Sequence, residues 1–384
     1  MTRILRGYYN PGGMFREVFA WCPDEPRDRQ DHGMLILGGR SRSCYASILR
    51  KLRPDVVRAY GGYWAADQAC ASRLDGVPVV VSVHDPHPSM LHKSVRYADL
   101  VACVSPGVEQ AVLKTGVEQA RIRSLPNRVD RSVFRPVTDS EALRSISRRF
   151  PPGRFILHVG RKSREKNLET VIRALGSLTP DYQAIFVGRG SPRPYMQLAE
   201  KAGVSQRCHW IESVANEELP RWYSWCDCMC TPSLWEGFGT VFVEAAACGA
   251  AIVTSDIAPM NAYLRHGATA HLVRDYVSPL TLAEAIRSVC ENSDYRAHLR
   301  RCAVTAAEPF DLRHVEMLEQ SIYREALDLQ PRTLTPRQRL ELTLSCVPHR
   351  FRTGMQALRR RARRCRHAVS GSSSRARERL QAFE

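Results

Sequence analysis

From Phe155 onward the chain alternates short apolar runs with amphipathic stretches of nine to twelve residues, and that rhythm restricts the fold more than any other feature. Strands are expected at 155–159, 184–187, 208–211, 228–231, 251–254 and 271–273. Helices are expected at 168–178, 194–202, 217–226, 240–248, 260–265, 279–290 and 294–304. Strands that alternate with helices of this length need crossover connections, which give a parallel sheet covered on both faces. The N-terminal half has the same rhythm less regularly, with strands at 18–21, 34–37, 55–59, 78–83 and 100–104 and helices at 44–52 and 106–115. Val77-Pro78-Val79-Val80-Val81 is nearly continuous in apolar residues, as a strand covered on both faces requires. A chain of 384 residues with 44% apolar content can fill two cores.

Two segments of the second half carry chemistry. In Trp235–Gly249, WEGFGTVFVEAAACG, Glu236 and Glu244 flank a Gly-Phe-Gly turn that opens a helix. Free N–H groups at such a helix start attract phosphate. Glu236 in the loop can accept hydrogen bonds from sugar hydroxyls, and Glu244, more than a turn into the helix, can reach a second diol. Each motif alone also fits an ordinary α/β loop. The second segment follows the strand Phe155–Val159: Gly160-Arg161-Lys162-Ser163-Arg164-Glu165-Lys166-Asn167 places four cations in six positions at a strand's carboxyl end. That is where a doubly wound sheet binds anions. Arg161 can fork onto phosphate oxygens and Lys166 can act as a point charge.

The chain resembles the retaining GT-B glycosyltransferases of family 4 over residues 51–311. Pro54-Asp55-Val56-Val57-Arg58-Ala59 is similar to the family's "PDVVHAH" strand, and Val79–Asp85 to "VVTVHD". Ala98–Ser105 resembles "ADLVIAVS". Leu125–Asp130 with Phe134 and Pro136 resembles "IPNGVD…F.P". Val159-Gly160-Arg161 with Lys166-Asn167 and the glutamate pair complete the series. The resemblance implies two Rossmann-like parallel-sheet domains facing a cleft, both doubly wound. They are expected at 1–135 (acceptor side, shortened) and 136–307 (nucleotide-sugar side), with a crossover helix at 308–330 and an Arg-rich tail at 331–384. It implies that Arg161 and Lys166 hold the diphosphate and that Gly239 and Thr240 offer backbone N–H groups. Glu236, with Gly237 and Phe238, orients the sugar, and Glu244 takes the ribose hydroxyls. The nucleobase is expected near Gly188 and Val214. His84, at the end of strand 79–83, is expected close to the transferring sugar, although a lone histidine there also fits a packed or capping role. His84, Glu236, Arg161 and Lys166 are the candidate catalytic residues.

The expected reaction moves a sugar from a nucleotide-diphosphate donor to a glycan, lipid or small-molecule acceptor. Retention is implied by the family alone. The sequence has no Asp-x-Asp metal motif, Asp227 being followed by Cys228-Met229, so no metal and no cofactor is expected. Positive side chains and helix N-termini would then stabilise the leaving diphosphate. The sequence also departs from the family pattern. Arg128 stands for the usual glycine, Asn261 for a frequent glutamate and Ala270 for a glycine, and Gly12-Gly13 follows only a stub of strand. A decayed GT-B protein that binds a nucleotide sugar or partners another transferase is the alternative.

Charge and cysteine content set further limits. The formal charge is +17, of which residues 331–384 carry +11 through 14 Arg and three Glu. No RRM, KH or helix-turn-helix signature accompanies it, so no nucleic-acid partner is expected. In the tail, Phe351, Met355, Leu358, Ala362, Cys365 and Val369 form one apolar stripe among arginines. This suits a basic amphipathic helix on an anionic membrane, and equally a disordered basic extension. No apolar run reaches membrane-spanning length and MTRILRGYYNPGGMF lacks a signal-peptide core, so a cytoplasmic protein is expected. Thirteen cysteines without a CxxC pair read as buried thiols. Cys226, Cys228 and Cys230 would line one strand face about 7 Å apart, too open for a tetrahedral zinc.

Overall fold

A computed structural model describes residues 9–342. The amphipathic stripe at 351–369 and the start of the chain lie outside the described residues. The N-terminal half begins with a small mixed sheet of β1 (Phe19–Trp21), β2 (Arg29–Asp31) and β3 (Met34–Leu37), in the order β1-β3-β2. β1 is parallel to β3, and β2 is antiparallel to it. Next come α1 (Tyr45–Leu52), β4 (Val57–Tyr60), α2 (Trp64–Ala71), β5 (Val79–Val83), β6 (Leu100–Cys103), α3 (Pro106–Leu113) and β7 (Ile122–Ser124). Strands β4-β5-β6-β7 form a parallel sheet in chain order, which therefore winds one way. α3 starts where expected: Pro106 fits the first turn, and the Ser105 hydroxyl accepts from the Val108 N–H.

The C-terminal half runs α4 (Ser140–Ser147), β8 (Arg154–Val159), α5 (Leu168–Leu175), β9 (Tyr182–Val187), α6 (Arg193–Lys201) and β10 (Cys208–Ile211). It continues with α7 (Leu219–Trp225), β11 (Cys228–Thr231), α8 (Thr240–Ala247), β12 (Ile252–Ser255), α9 (Met260–Tyr263), β13 (His271–Val273), α10 (Pro279–Glu291) and α11 (Ser293–Ala306). Its parallel sheet has the order β10-β9-β8-β11-β12-β13. The order reverses between β8 and β11, so the crevice for a ligand opens at their carboxyl ends. Every residue of β9 is buried, as a central strand covered on both faces requires.

The cysteine row departs from expectation. Cys226 is the C-cap of α7 and packs in a different apolar cluster from Cys228 and Cys230. The chain turns into β11 only at Cys228, so the three never share a strand face. All the described cysteines are free thiols.

α12 (Leu312–Asp328) crosses back onto the N-terminal sheet. Val315, Ile322 and Ala326 pack on Val80, Leu100, Ala102 and Leu125, and Arg123 Nε donates to Glu325 at 2.7 Å. The chain does not leave the body after this helix. Arg332 donates its backbone N–H to Asp99 at 2.8 Å and its guanidinium to the Arg96 carbonyl at 3.0 Å. Leu334 and Leu342 are buried, and Glu341 accepts from Tyr97 Oη and Arg96 at 3.2 Å. The tail boundary expected at 331 thus falls inside a docked segment. A chain ending at Leu342 should keep the thermal stability of the full protein. A chain ending at Gln330 should lose roughly 3–5 kcal/mol, from two buried leucines and an Asp99 left short of a donor. Equal melting temperatures for the two truncations would contradict this packing.

Candidate functional site

The site begins with a close approach of strand ends. A Cβ on Gly188, past the end of β9, would lie 1.9 Å from the Gly160 carbonyl oxygen past the end of β8, so only glycine fits there. Lys162 straps these ends together. Its ammonium donates to the Gly188 carbonyl and, at 2.9 Å, to the Ile211 carbonyl at the end of β10. Burial lowers its pKa. Gly188 also donates its own N–H to Ile211 at 3.0 Å. Its N–H and carbonyl are therefore both committed to the sheet edge. Val214, past β10, packs half-buried against the core.

The loop after β8 is held from below and from the side. His158 is buried, and its Nε2 lies 3.1 Å from the Lys166 carbonyl. Burial takes its pKa down to about 4, so the ring is neutral at pH 7. Asn167 adopts a left-handed conformation and donates to the carbonyls of Pro232, at 3.0 Å, and Tyr276, at 3.2 Å. Leu234 N–H donates to the Glu165 carbonyl at 2.8 Å. The loops after β8 and β11 are thus stitched together across the point where strand order reverses.

On that seam Lys166 Nζ donates to Glu236 Oε1 in an ion pair whose side chains are 12% and 10% exposed. Ser233 Oγ donates to the same oxygen at 2.8 Å. Arg161 reaches outward: its side chain is 75% exposed and pairs with Glu165 at 2.8 Å. The sequence placed both cations in one anion site, and the structure gives them different settings, Lys166 nearly buried against Glu236 and Arg161 exposed against Glu165.

Downstream of Glu236 the glycine turn meets the N-terminal half. A Cβ on Gly237 would sit 1.9 Å from the His84 carbonyl oxygen, and Ser105 Oγ donates to the Gly237 carbonyl at 2.7 Å. Asn127 donates to Thr240 Oγ1 at 3.0 Å. Gly239, left-handed at φ +81°, caps α8. Phe238 turns its ring inward. Its ring is buried, stacked on Tyr263 at 5.6 Å with its edge to Phe310 at 5.3 Å, and Tyr263 Oη donates to its carbonyl at 2.9 Å. The ring braces the turn from behind. Glu244, one turn into α8, accepts from Tyr223 Oη at 3.3 Å. Burial pushes its carboxyl up to about 7.

His84 follows β5 at the cleft floor. Its ring stacks on Tyr60 at 6.3 Å and 10°. Burial, with help from the Arg58 charge, takes its pKa down to about 4, leaving a neutral imidazole. Sequence reading missed Lys162, His158 and Ser105 as supports of the site. A lysine that straps carbonyls and a lysine that faces an anion carry the same letter. Among the described residues no group of three or more His, Cys, Asp or Glu is placed to hold a metal ion, and no helix is long and apolar enough to cross a membrane.

Residues 17–133 match the family described as Glycosyltransferase Family 4, and residues 139–304 match the one described as Glycosyl transferases group 1. The chain is 28% identical over 313 residues to a D-inositol 3-phosphate glycosyltransferase of Nocardioides sp., covering 71% of this chain and 67% of that one. It is 28% identical over 306 residues to the D-inositol 3-phosphate glycosyltransferase of Paenarthrobacter aurescens, covering 72% and 74%. Among solved structures, Anabaena Alr3699/HepE in complex with UDP and glucose superposes with a TM-score of 0.68 at 19% identity, covering 77% of this chain and 87% of that one. Sucrose-phosphate synthase from Thermosynechococcus elongatus gives 0.71 at 19%, covering 84% and 91%. These two structures share the fold. The two family matches follow each other along the same halves that the two parallel sheets occupy, which makes this chain a GT-B member of glycosyltransferase family 4, an enzyme that transfers a sugar from a nucleotide-sugar donor.

Proposed function

We propose that the cleft binds a uridine diphosphate sugar at the β8–β11 reversal and transfers the sugar, with retention and without a metal ion, to a hydroxyl of a glycan, lipid or small-molecule acceptor. The observation that carries this is the Lys166–Glu236 pair, a nearly buried cation and anion joined across the carboxyl ends of β8 and β11. The choice of uridine is supported by the Anabaena Alr3699/HepE structures, which are complexes with UDP and with UDP-glucose.

In this reading Glu236 holds Lys166 in place until a diphosphate arrives. The ammonium then turns to the phosphate oxygens and the carboxylate is released to the sugar hydroxyls. Arg161 swings in from solvent, and the N-terminus of α8, through Gly239 and Thr240, faces the same phosphates. Glu244 takes the ribose diol, while Gly188 and Val214 border the base. Neutral His84 offers a ring nitrogen to the transferring sugar. The bond from the anomeric carbon to the β-phosphate oxygen breaks, and the acceptor oxygen bonds to that carbon on the same face. The acceptor proton passes to the departing phosphate.

Thermal-shift measurements with UDP-, GDP- and ADP-sugars test the donor. The UDP-sugar should raise the melting temperature, since a ligand at 100 times its Kd adds about 2.7 kcal/mol. Transfer should persist in EDTA, because the cations and the helix N-terminus already supply the charge. Loss on chelation that Mg²⁺ or Mn²⁺ restores would contradict the metal-free mechanism.

The basic segment after Leu342, with eleven Arg and two Glu, is proposed to touch an anionic membrane surface. A chain ending at Leu342 should stay folded and lose its binding to anionic vesicles. Equal vesicle binding by both chains would reject this role.

A further inference from the structure

Three positions at which this chain departs from the family pattern meet in space. Arg58 and Tyr60 stand where the strand "PDVVHAH" carries histidines, and Arg128 stands for a glycine. Arg58 is nearly buried. Its Nε donates to Ser82 Oγ at 2.9 Å, and its Nη1 donates to Tyr323 Oη at 2.9 Å and to the Glu319 carboxylate. Arg128 donates to the other oxygen of Glu319, a residue 1% exposed in the middle of α12. The Arg58 guanidinium lies 4.4 Å over the Tyr60 ring, and Tyr60 stacks in turn on His84. Arg58, Ser82, His84, Asn127 and Arg128 also line one small cavity beneath the cleft.

A buried arginine between two buried partners cannot move away, and it cannot lose its charge. Its field therefore acts permanently on whatever sits above Tyr60. Other charged and titratable groups lie around His84: Asp85 next in the chain, Tyr60 on β4, Arg128 across the cavity, and Glu236 with Lys166 beside Gly237. Burial lowers the imidazole pKa most, and Arg58 is the charge that adds to it.

We propose that Arg58 is a positioning residue for His84: held by Glu319, which Arg128 holds in turn, it keeps Tyr60 in place and with it the imidazole stacked on that ring where the sugar is transferred. This rests on the reading of His84 as a group facing the transferring sugar. It also gives α12 a role beyond closing the fold, because Glu319 ties the crossover helix to the cleft floor. Arg58 and Arg128, both set apart from the family pattern, form one arrangement around a shared carboxylate.

The test is an NMR titration of the His84 imidazole in the full-length protein, assigned with a His84→Gln variant, alongside the pH profile of kcat with UDP-glucose. In the wild type the ring should stay neutral down to about pH 4. Arg58→Leu should raise its midpoint measurably above the wild-type value, with burial still holding it below the ordinary histidine range, and the acid limb of kcat should move with it. Arg58→Lys should hold the midpoint near the wild type. If Arg58→Leu does not fold, the triple variant Arg58→Leu, Arg128→Gly, Glu319→Leu leaves no unpaired buried charge and carries the same test. Lys166→Ala serves as a control that should lose donor binding and leave the His84 midpoint in place, so a failure of the donor reading is seen separately. A His84 midpoint in the Arg58→Leu or triple variant equal to the wild type would overturn the proposal.

Discussion

Lys166→Ala lowers kcat/KM for sugar transfer by about 10²–10³, the scale of losing one preorganised charge at a leaving group. The same change destabilises the fold, because it strands Glu236, 10% exposed, with Ser233 as its remaining partner. The stability cost should be about 1–3 kcal/mol. The double variant Lys166→Ala, Glu236→Ala removes both charges, so it should recover most of that stability and none of the activity. This combination separates a functional pair from a structural one. A purely structural pair would let activity return with stability, and kinetics beside thermal melts of the three variants decides between them.

The second large effect concerns Glu244. Its carboxyl, raised to about 7 in the folded protein, stays near 4.3 in the unfolded chain. The folded state therefore holds a proton that the unfolded state releases. The associated stability is fully present below pH 4.3, falls as pH rises toward 7, and is lost above it. Glu244→Gln removes this dependence. At pH 8 the variant should be more stable than the wild type by up to about 3 kcal/mol, with no difference at pH 4. Nucleotide binding should change in the opposite direction. An amide presents one acceptor oxygen where the carboxylate presents two, so it meets a ribose diol less well and UDP affinity should fall by about tenfold. In the wild type, affinity should rise with pH through 7 as the carboxylate forms. Melting curves at pH 4 and pH 8, with calorimetric titration of UDP, give both signs. A Glu244→Gln variant no more stable than the wild type at pH 8 would place Glu244 in a wetter setting than the structure shows.

Much of this was legible in the sequence where local pattern and tertiary role coincide. β8 with its basic loop and β11 with its glycine turn are such cases, because apolar runs and glycines are needed at those strand ends whatever the rest of the chain does. The elements that escaped have no such pattern. α2 is buried on several sides, with Ala66, Asp67, Ala69 and Cys70 all inside, so it shows no polar stripe. β2 is Arg-Gln-Asp, polar throughout, and is a strand through its pairing with β3. The three-residue strand β7 is too short to display a period. In the site, Lys162 and Lys166 differ by what lies at the ends of β9 and β10, and no property of their own loop reports it. Glu319 meets Arg58 and Arg128 across most of the chain, which a reading of local windows does not connect.

The central claim is that the Lys166–Glu236 seam is the donor site. Calorimetric titration of UDP into the wild type and into Lys166→Ala, both in EDTA, tests it most directly. The expected result is saturable 1:1 binding by the wild type that the variant loses by a factor of about 100 or more. Equal UDP affinity in a folded Lys166→Ala variant would contradict it.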